Sequence, residues 1–212
     1  MSNQKLVVFD LDGTLNRTEL YAVPATKKAL AELGIFDRTD EDIIRGFGAR
    51  AQESVAALTG SSDPNAIAAY LKRYSQLEQE FLQHAAGSYD GVPEMLQTLK
   101  TEGYTTAICS NSSERYIRMV LTALDILPLI DRIQPLMPDM QKEDTLGLLL
   151  KREAPSAAVM VGDRIYDKIA ARANKIPFIG CLYGFCSDEV ADADAPVASA
   201  RDIPAAVCSL IG

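Results

Sequence analysis

The sequence predicts an α/β protein: a doubly wound parallel sheet covered by helices on both faces, with a helix-only region set in after the first strand. Three observations lead there. A short apolar run, Leu6 to Phe9, opens the chain and reads as a buried strand. From about residue 16 to residue 86 the hydrophobic spacing is helical throughout. From Gly87 onward, short apolar strands alternate with helices, the rhythm of a parallel sheet with helical crossovers.

The first strand ends in Asp10 and Asp12, with Gly13 behind them. In extended backbone, residues i and i+2 point the same way, so both carboxylates leave the strand tip side by side. Gly13 frees the backbone to turn away. Two carboxylates so placed can bind a hard cation, or divide the roles of nucleophile and acid. The alternative is a strand followed by an Asp-Gly hairpin turn. Residues 16–19 make a poor returning strand for it, with neither alternation nor β-branched apolar residues.

In the helical region, Pro24 suits a first helical turn and Gly34 a stop. Thr39 with Asp42 reads as a capping box. Gly46 and Gly48 break the pattern around Phe47, and residues 60–64 form a loop that delivers a helix start. The helix after it carries Ile67, Tyr70, Leu71, Tyr74, Leu77 and Phe81 along one stripe, which reads as internal core. His84 near its end reads as a surface residue. Beyond Gly87 the expected elements are a helix over 92–102 closed by Gly103 and a strand over 104–109. A helix over 115–124, a strand over 132–137 and a helix over 143–152 come next. The rest is a strand over 157–161, a helix over 166–173, a strand over 177–182, an edge strand over 196–198 and a final short helix.

Composition narrows the function classes. A chain of 212 residues, 48% hydrophobic and 24% charged, is long enough for one large domain or a domain with an insertion. The formal charge of −8 argues against a nucleic-acid partner, which calls for basic patches, but allows a small anionic substrate in a locally basic cleft. The four cysteines, Cys109, Cys181, Cys186 and Cys208, form no C-x-x-C pair and read as reduced thiols. Zinc on Cys181 and Cys186 is disfavoured by their spacing and by the single histidine, His84. No signal peptide or bilayer-length apolar stretch is present, so a cytoplasmic location without a membrane partner is expected. The sequence carries no signal of oligomeric state.

In a parallel sheet covered on both faces, ligands sit beyond the carboxyl ends of the strands. The first exit offers Asp10 and Asp12. The second offers Ser110 and Asn111, where a hydroxyl and a backbone N–H at a helix start would hold a phosphate oxygen; the alternative is that Ser110 only caps the helix. The third leads to Lys142 in a first helical turn, against the preference of the helix dipole for acids there. It is either a surface lysine or a clamp for a phosphate and an attacking carboxylate. At the fourth, Asp163 leaves the strand and Asp167 follows one helical turn later; the alternative for the pair is an N-cap with a dipole-favourable acid. Taken together, these acids, a hydroxyl and a lysine at the exits of one sheet suit phosphoryl transfer.

The run Asp10-Leu-Asp12-Gly13-Thr14-Leu15, then Ser110-Asn111, then Lys142, then Gly162-Asp163-x-x-x-Asp167, resembles the four motifs of the haloacid dehalogenase-like (HAD) phosphatases, in order and across nearly the whole chain. Residues 159–167, with 180–184 and Asp188-Glu189, are similar to a phosphoglycolate phosphatase-like branch, some of whose members are described as 5′-nucleotidases. The resemblance implies a Rossmann-like core over residues 1–15 and 87–212 and an α-helical cap over 16–86. It implies hydrolysis of a small phosphorylated metabolite. Asp10 would be the nucleophile that becomes an aspartyl-phosphate, and Asp12 the acid and then the base. Ser110 and Lys142 would bind phosphoryl oxygens, with Thr14 and Asn111 in the substrate-binding set. Magnesium would be held by the Asp10 carboxylate, the Asp12 main-chain carbonyl and Asp163, with Asp167 in support.

Two departures stand out. Lys142 lacks the proline that follows it in many relatives and lies nearer Asp163 than in much of the family. The loop after Thr14 lacks the usual acid-serine step. Within the superfamily, a dehalogenase would not use Asp12. A phosphonate hydrolase would need a cap lysine, and Lys27, Lys28 and Lys72 lie in no obvious loop toward the site. A phosphosugar mutase would carry a cap histidine soon after the first motif, and none is there. A phosphate-ligand sensor without turnover is the reading from another class. For the substrate anion, Arg45 and Arg50, which flank the glycine break, are the candidates; the alternative is a solvated helix surface.

Overall fold

Lys5–Phe9 forms β1, and Leu6, Val7, Val8 and Phe9 are all fully buried. Burial on both faces explains an unbroken apolar run in place of alternation, and each such side chain contributes roughly 1.5–3 kcal/mol. The computed structural model describes residues 4–212. The other strands are β2 (Thr105–Cys109), β3 (Arg132–Gln134), β4 (Ala157–Gly162), β5 (Phe178–Cys181) and β6 (Ala195–Val197). All neighbours pair in parallel, in the order β3-β2-β1-β4-β5-β6. The order reverses direction between β1 and β4, which are in register with Val7 opposite Val159 and Phe9 opposite Val161. That reversal is where open α/β sheets form their ligand crevice.

The helices are α1 (Glu19–Ala31), α2 (Asp40–Arg45), α3 (Ala51–Thr59), α4 (Pro64–Ala85), α5 (Val92–Thr101), α6 (Glu114–Ala123), α7 (Lys142–Glu153), α8 (Ile165–Ala173), α9 (Ser187–Val190) and α10 (Ile203–Ile211). The chain separates into two compact units. One holds the residues up to Asn16 together with Ser88–Gly212, and the other is Arg17–Gly87. In the α/β unit, Leu146 and Leu149 of α7 and Ala170 and Ala171 of α8 pack against Leu6, Val8, Met160 and Phe178 of the sheet. Helices α5 and α10 pack on β2 and β4. In the helical unit, Ala25, Ala29 and Leu30 of α1 close a core with Ile43, Val55 and Leu58, and with Tyr70 and Leu77 of the α4 stripe. Ile67, Leu71, Tyr74 and Phe81 pack at the margin of that core. The Thr39–Asp42 capping box is formed.

Two expectations change, and one alternative falls. Helix α1 starts at Glu19, so Pro24 lies in its interior and not in its first turn. The proline removes one helical hydrogen bond, but burial of Tyr21, Ala22, Ala25, Ala29 and Leu30 on one side carries the helix through. The strand expected over 132–137 stops at Gln134, because Pro135 has no N–H for the ladder. Asp12-Gly13 makes no hairpin: the N–H groups of Leu15 and Asn16 both donate to the Leu11 carbonyl, at 3.0 and 2.9 Å, in one tight turn. The short α9 has no counterpart in the sequence reading. Among the described residues, no helix is long and apolar enough to cross a membrane.

Candidate active site

Asp10 follows β1 and Asp163 follows β4, so the strand pairing alone makes them neighbours. The Asp10 N–H extends the ladder by donating to the Val161 carbonyl at 2.8 Å. Asp163 accepts from Thr14 Oγ1 on Oδ1 (3.1 Å) and from the Phe185 N–H on Oδ2 (2.8 Å). Asp167, in the first turn of α8, accepts from the Arg164 N–H on Oδ2 at 3.0 Å. Glycines clear the space these acids occupy. Gly13 has φ +85°, and a side chain there would collide with the Asp163 carboxylate and the Phe185 ring. A Cβ on Gly184 would strike Asp163, and one on Gly162 would strike Asp167.

Lys142 is the first residue of α7 and is 5% exposed. Its ammonium donates to Asp10 Oδ1 at 2.6 Å and stands 2.6 Å from Asp167 Oδ1. The second contact is an ion pair at the distance of a charge-assisted hydrogen bond, so the ammonium is shared between the two carboxyls. Burial would push the lysine toward its neutral form, but Asp10 and Asp167 outweigh it and raise its pKa, so it stays an ammonium.

Among the described residues, Asp10, Asp163 and Asp167 form a buried group whose ligand atoms all lie within 4.8 Å of one another. Burial drives the acids toward protonation. Asp163 is raised well above the usual carboxylate range by desolvation, then by Asp10 and Asp167. Asp10 is raised by desolvation, with Lys142 opposing. Asp167 is pushed up to about 6 by desolvation, with Lys142 opposing and Asp10 adding to the rise. One ammonium faces three carboxylates, so a divalent cation would restore the balance. An all-carboxylate donor set suits a hard ion such as Mg²⁺. The space that Gly13, Gly162 and Gly184 clear around Asp163 and Asp167 fits that ion.

Asp12 sits near enough to Asp10 to raise its pKa further. Its Oδ1 accepts from Asn16 Nδ2 and from the Tyr116 hydroxyl, each at 2.9 Å. Ser110 is buried and accepts the Ser112 N–H at 3.2 Å. The α6 cap belongs instead to Ser113, whose hydroxyl accepts from the Tyr116 N–H, so the capping alternative for Ser110 falls. The helix begins at Glu114, which leaves Ser110 and Asn111 on the loop before it and not at its start. Thr14 holds Asp163, as above. Arg45 closes α2 and Arg50 precedes α3, both in the helical unit. Within that unit Arg45 lines a groove of about 510 Å³ with Arg38, Asp42 and Glu53.

Residues 7–181 match the family model of haloacid dehalogenase-like hydrolases. The chain belongs to that family. A phosphoglycolate phosphatase from Thiobacillus denitrificans is 32% identical over 85% of this chain and 84% of its own length. One from Caulobacter vibrioides is 27% identical over 99% of this chain and 93% of its own. Among solved structures, a predicted phosphatase from Clostridium acetobutylicum superimposes with a TM-score of 0.87 at 24% identity, covering 99% of this chain and 100% of that one. CbbY from Rhodobacter sphaeroides, in complex with phosphate, does so with a TM-score of 0.77 at 19% identity, covering 93% and 95%. These two likenesses establish the fold.

The contacts of several residues of this HAD-like hydrolase escape sequence reasoning, although Tyr183 and Glu189 lie in segments that carry the family resemblance. Tyr116 reaches Asp12 from 104 residues away, and no spacing marks it. Phe185 acts through its backbone, for which the only sequence signal is the neighbouring Gly184. Glu189 accepts from Arg164 Nε (3.0 Å) and the Ile165 N–H (2.8 Å), pinning the loop between Asp163 and Asp167. Tyr183 donates to the Thr14 carbonyl at 3.0 Å.

Proposed function

We propose that this hydrolase is a magnesium-dependent phosphatase that cleaves a small-molecule phosphate monoester through an aspartyl-phosphate on Asp10. The observation that carries the reading is the buried group of Asp10, Asp163 and Asp167 with Lys142 held between two of its members. Mg²⁺, held by Asp10, Asp163 and the Asp12 main-chain carbonyl with Asp167 in support, would supply positive charge to the phosphoryl oxygens.

In the first step an Asp10 carboxylate oxygen forms a bond to phosphorus while the ester P–O bond breaks, and Asp12 gives a proton to the departing alkoxide. In the second, water adds to phosphorus, Asp12 takes its proton, and the Asp10–phosphorus bond breaks to release phosphate. Lys142 and Ser110, with Asn111, stabilise charge on the phosphoryl oxygens, while Thr14 serves through Asp163, which its hydroxyl holds. Residues 16–86 act as the cap, and Arg45 and Arg50 are its candidate contacts for a second anionic group on the substrate. The names of the relatives favour phosphoglycolate or a similar small phosphate ester, with sugar phosphates and nucleoside monophosphates next. The four free thiols support a reducing, cytoplasmic setting.

A phosphate-release screen over those three substrate groups, with and without Mg²⁺, tests the reading. Release that requires Mg²⁺ and vanishes in Asp10→Asn supports it. A burst without steady release would favour a mutase, and binding without turnover a sensor.

A further inference from the structure

We infer that Tyr116 is a positioning residue for Asp12, fixing Oδ1 so that the proton passed to the leaving alcohol is carried on Oδ2. The inference rests on the phosphatase reading above and adds a residue to it. Two donors converge on one oxygen: the Tyr116 hydroxyl and Asn16 Nδ2, each 2.9 Å from Asp12 Oδ1. An amide NH₂ can only donate, so at least one of these bonds requires Oδ1 to be an acceptor. A protonated carboxyl has one O–H, and with Oδ1 accepting twice that O–H falls to Oδ2. Ser112 Oγ, on the loop that follows Ser110, stands 3.5 Å from Oδ2 and marks the side to which it is turned.

The local sequence explains why the phenol arrives there. Ser113 caps α6 by accepting the Tyr116 N–H at 3.3 Å, which sets the first turn of the helix and with it the direction of the tyrosine. Asn16 alone comes from the same tight turn as Asp12 and moves with it. Tyr116 comes from an independent element and ties the carboxyl to the β2 side of the sheet.

The readout is the dependence on the leaving group. A nitrophenolate departs without a proton, whereas an alkoxide needs one. Tyr116→Phe is therefore expected to lower kcat/KM for an alkyl phosphate such as phosphoglycolate by about tenfold or more, the size of a hydrogen bond to a charged group, within the roughly 10²–10⁴-fold that a general acid contributes. The kcat/KM for 4-nitrophenyl phosphate, which does not include the shared hydrolysis of the phosphoenzyme, should stay within about twofold. Loss of folded enzyme would lower both rates alike and leave their ratio unchanged, so the ratio separates positioning from stability. An unchanged ratio, with or without a general fall in rate, overturns the role of Tyr116 and leaves the phosphatase reading intact. A wild-type enzyme that hydrolyses neither ester overturns both.

Discussion

Asp167→Asn should stabilise the metal-free protein, and by an amount that depends on pH. The carboxyl of Asp167 is fully buried, and its pKa rises from the ordinary 3.8 to about 6. Below pH 3.8 the group is protonated in both folded and unfolded chains and costs nothing. Between that pH and about 6 the unfolded chain ionises while the folded one does not, so stability falls as pH rises. Above about 6 the whole penalty is present, about 3 kcal/mol at roughly 1.4 kcal/mol per pH unit. Asparagine keeps an acceptor for the Arg164 N–H and carries no charge. The difference in unfolding free energy, variant minus wild type, should be near zero at pH 4 and reach about 3 kcal/mol by pH 7. In melting temperature that is about 6–12 °C for a chain of this size. Urea unfolding in the presence of a chelator, across that pH range, measures it. Mg²⁺ at about a thousand times the wild-type Kd should reverse the order, since about 4.1 kcal/mol then accrues to the wild type. A difference that is flat with pH, or a variant less stable than wild type at pH 7 without metal, would refute the reasoning.

Gly162→Ala should displace Asp167, because the new methyl group would collide with a carboxyl that is buried and has no room to yield. A stability cost of about 1–3 kcal/mol and weaker Mg²⁺ binding by calorimetry are expected. Leu77→Ala removes a fully buried side chain from the core of the helical unit and should cost about 2–5 kcal/mol in denaturant unfolding. Thr14→Val deletes the hydroxyl that donates to Asp163 Oδ1 while keeping its volume, and should cost about 1–3 kcal/mol in denaturant unfolding and weaken Mg²⁺ binding, both checked on the same variant.

The sheet was legible because a fully buried strand needs an uninterrupted apolar run, and β1, β4 and β5 each have one, while β2 follows two β-branched threonines with Ala107, Ile108 and Cys109. The acids at the strand exits were legible for a related reason. Side-chain direction at a strand tip follows from chain geometry, and parallel pairing then brings Asp10 beside Asp163. Less regular features were hidden. Pro24 argues locally for a helix start, and only the packed face of α1 overrides it. Ser110 and Ser113 look alike as caps, and the choice between them depends on where the loop after β2 ends. Tyr116, Phe185 and Glu189 act over long sequence separations, two of them on or through backbone groups. No periodicity records such contacts. Glycines 162 and 184 are short of side chain for a steric reason that exists only once the acids are in place.

The central claim is that Asp10 is transiently esterified. Enzyme mixed with substrate and quenched in acid during the first turnover can be digested with trypsin and read by mass spectrometry. One added phosphoryl group is expected on the peptide 6–17, released by hydroxylamine and absent in Asp10→Asn. Steady phosphate release with that peptide unmodified, or with the phosphoryl group on another segment, would contradict it.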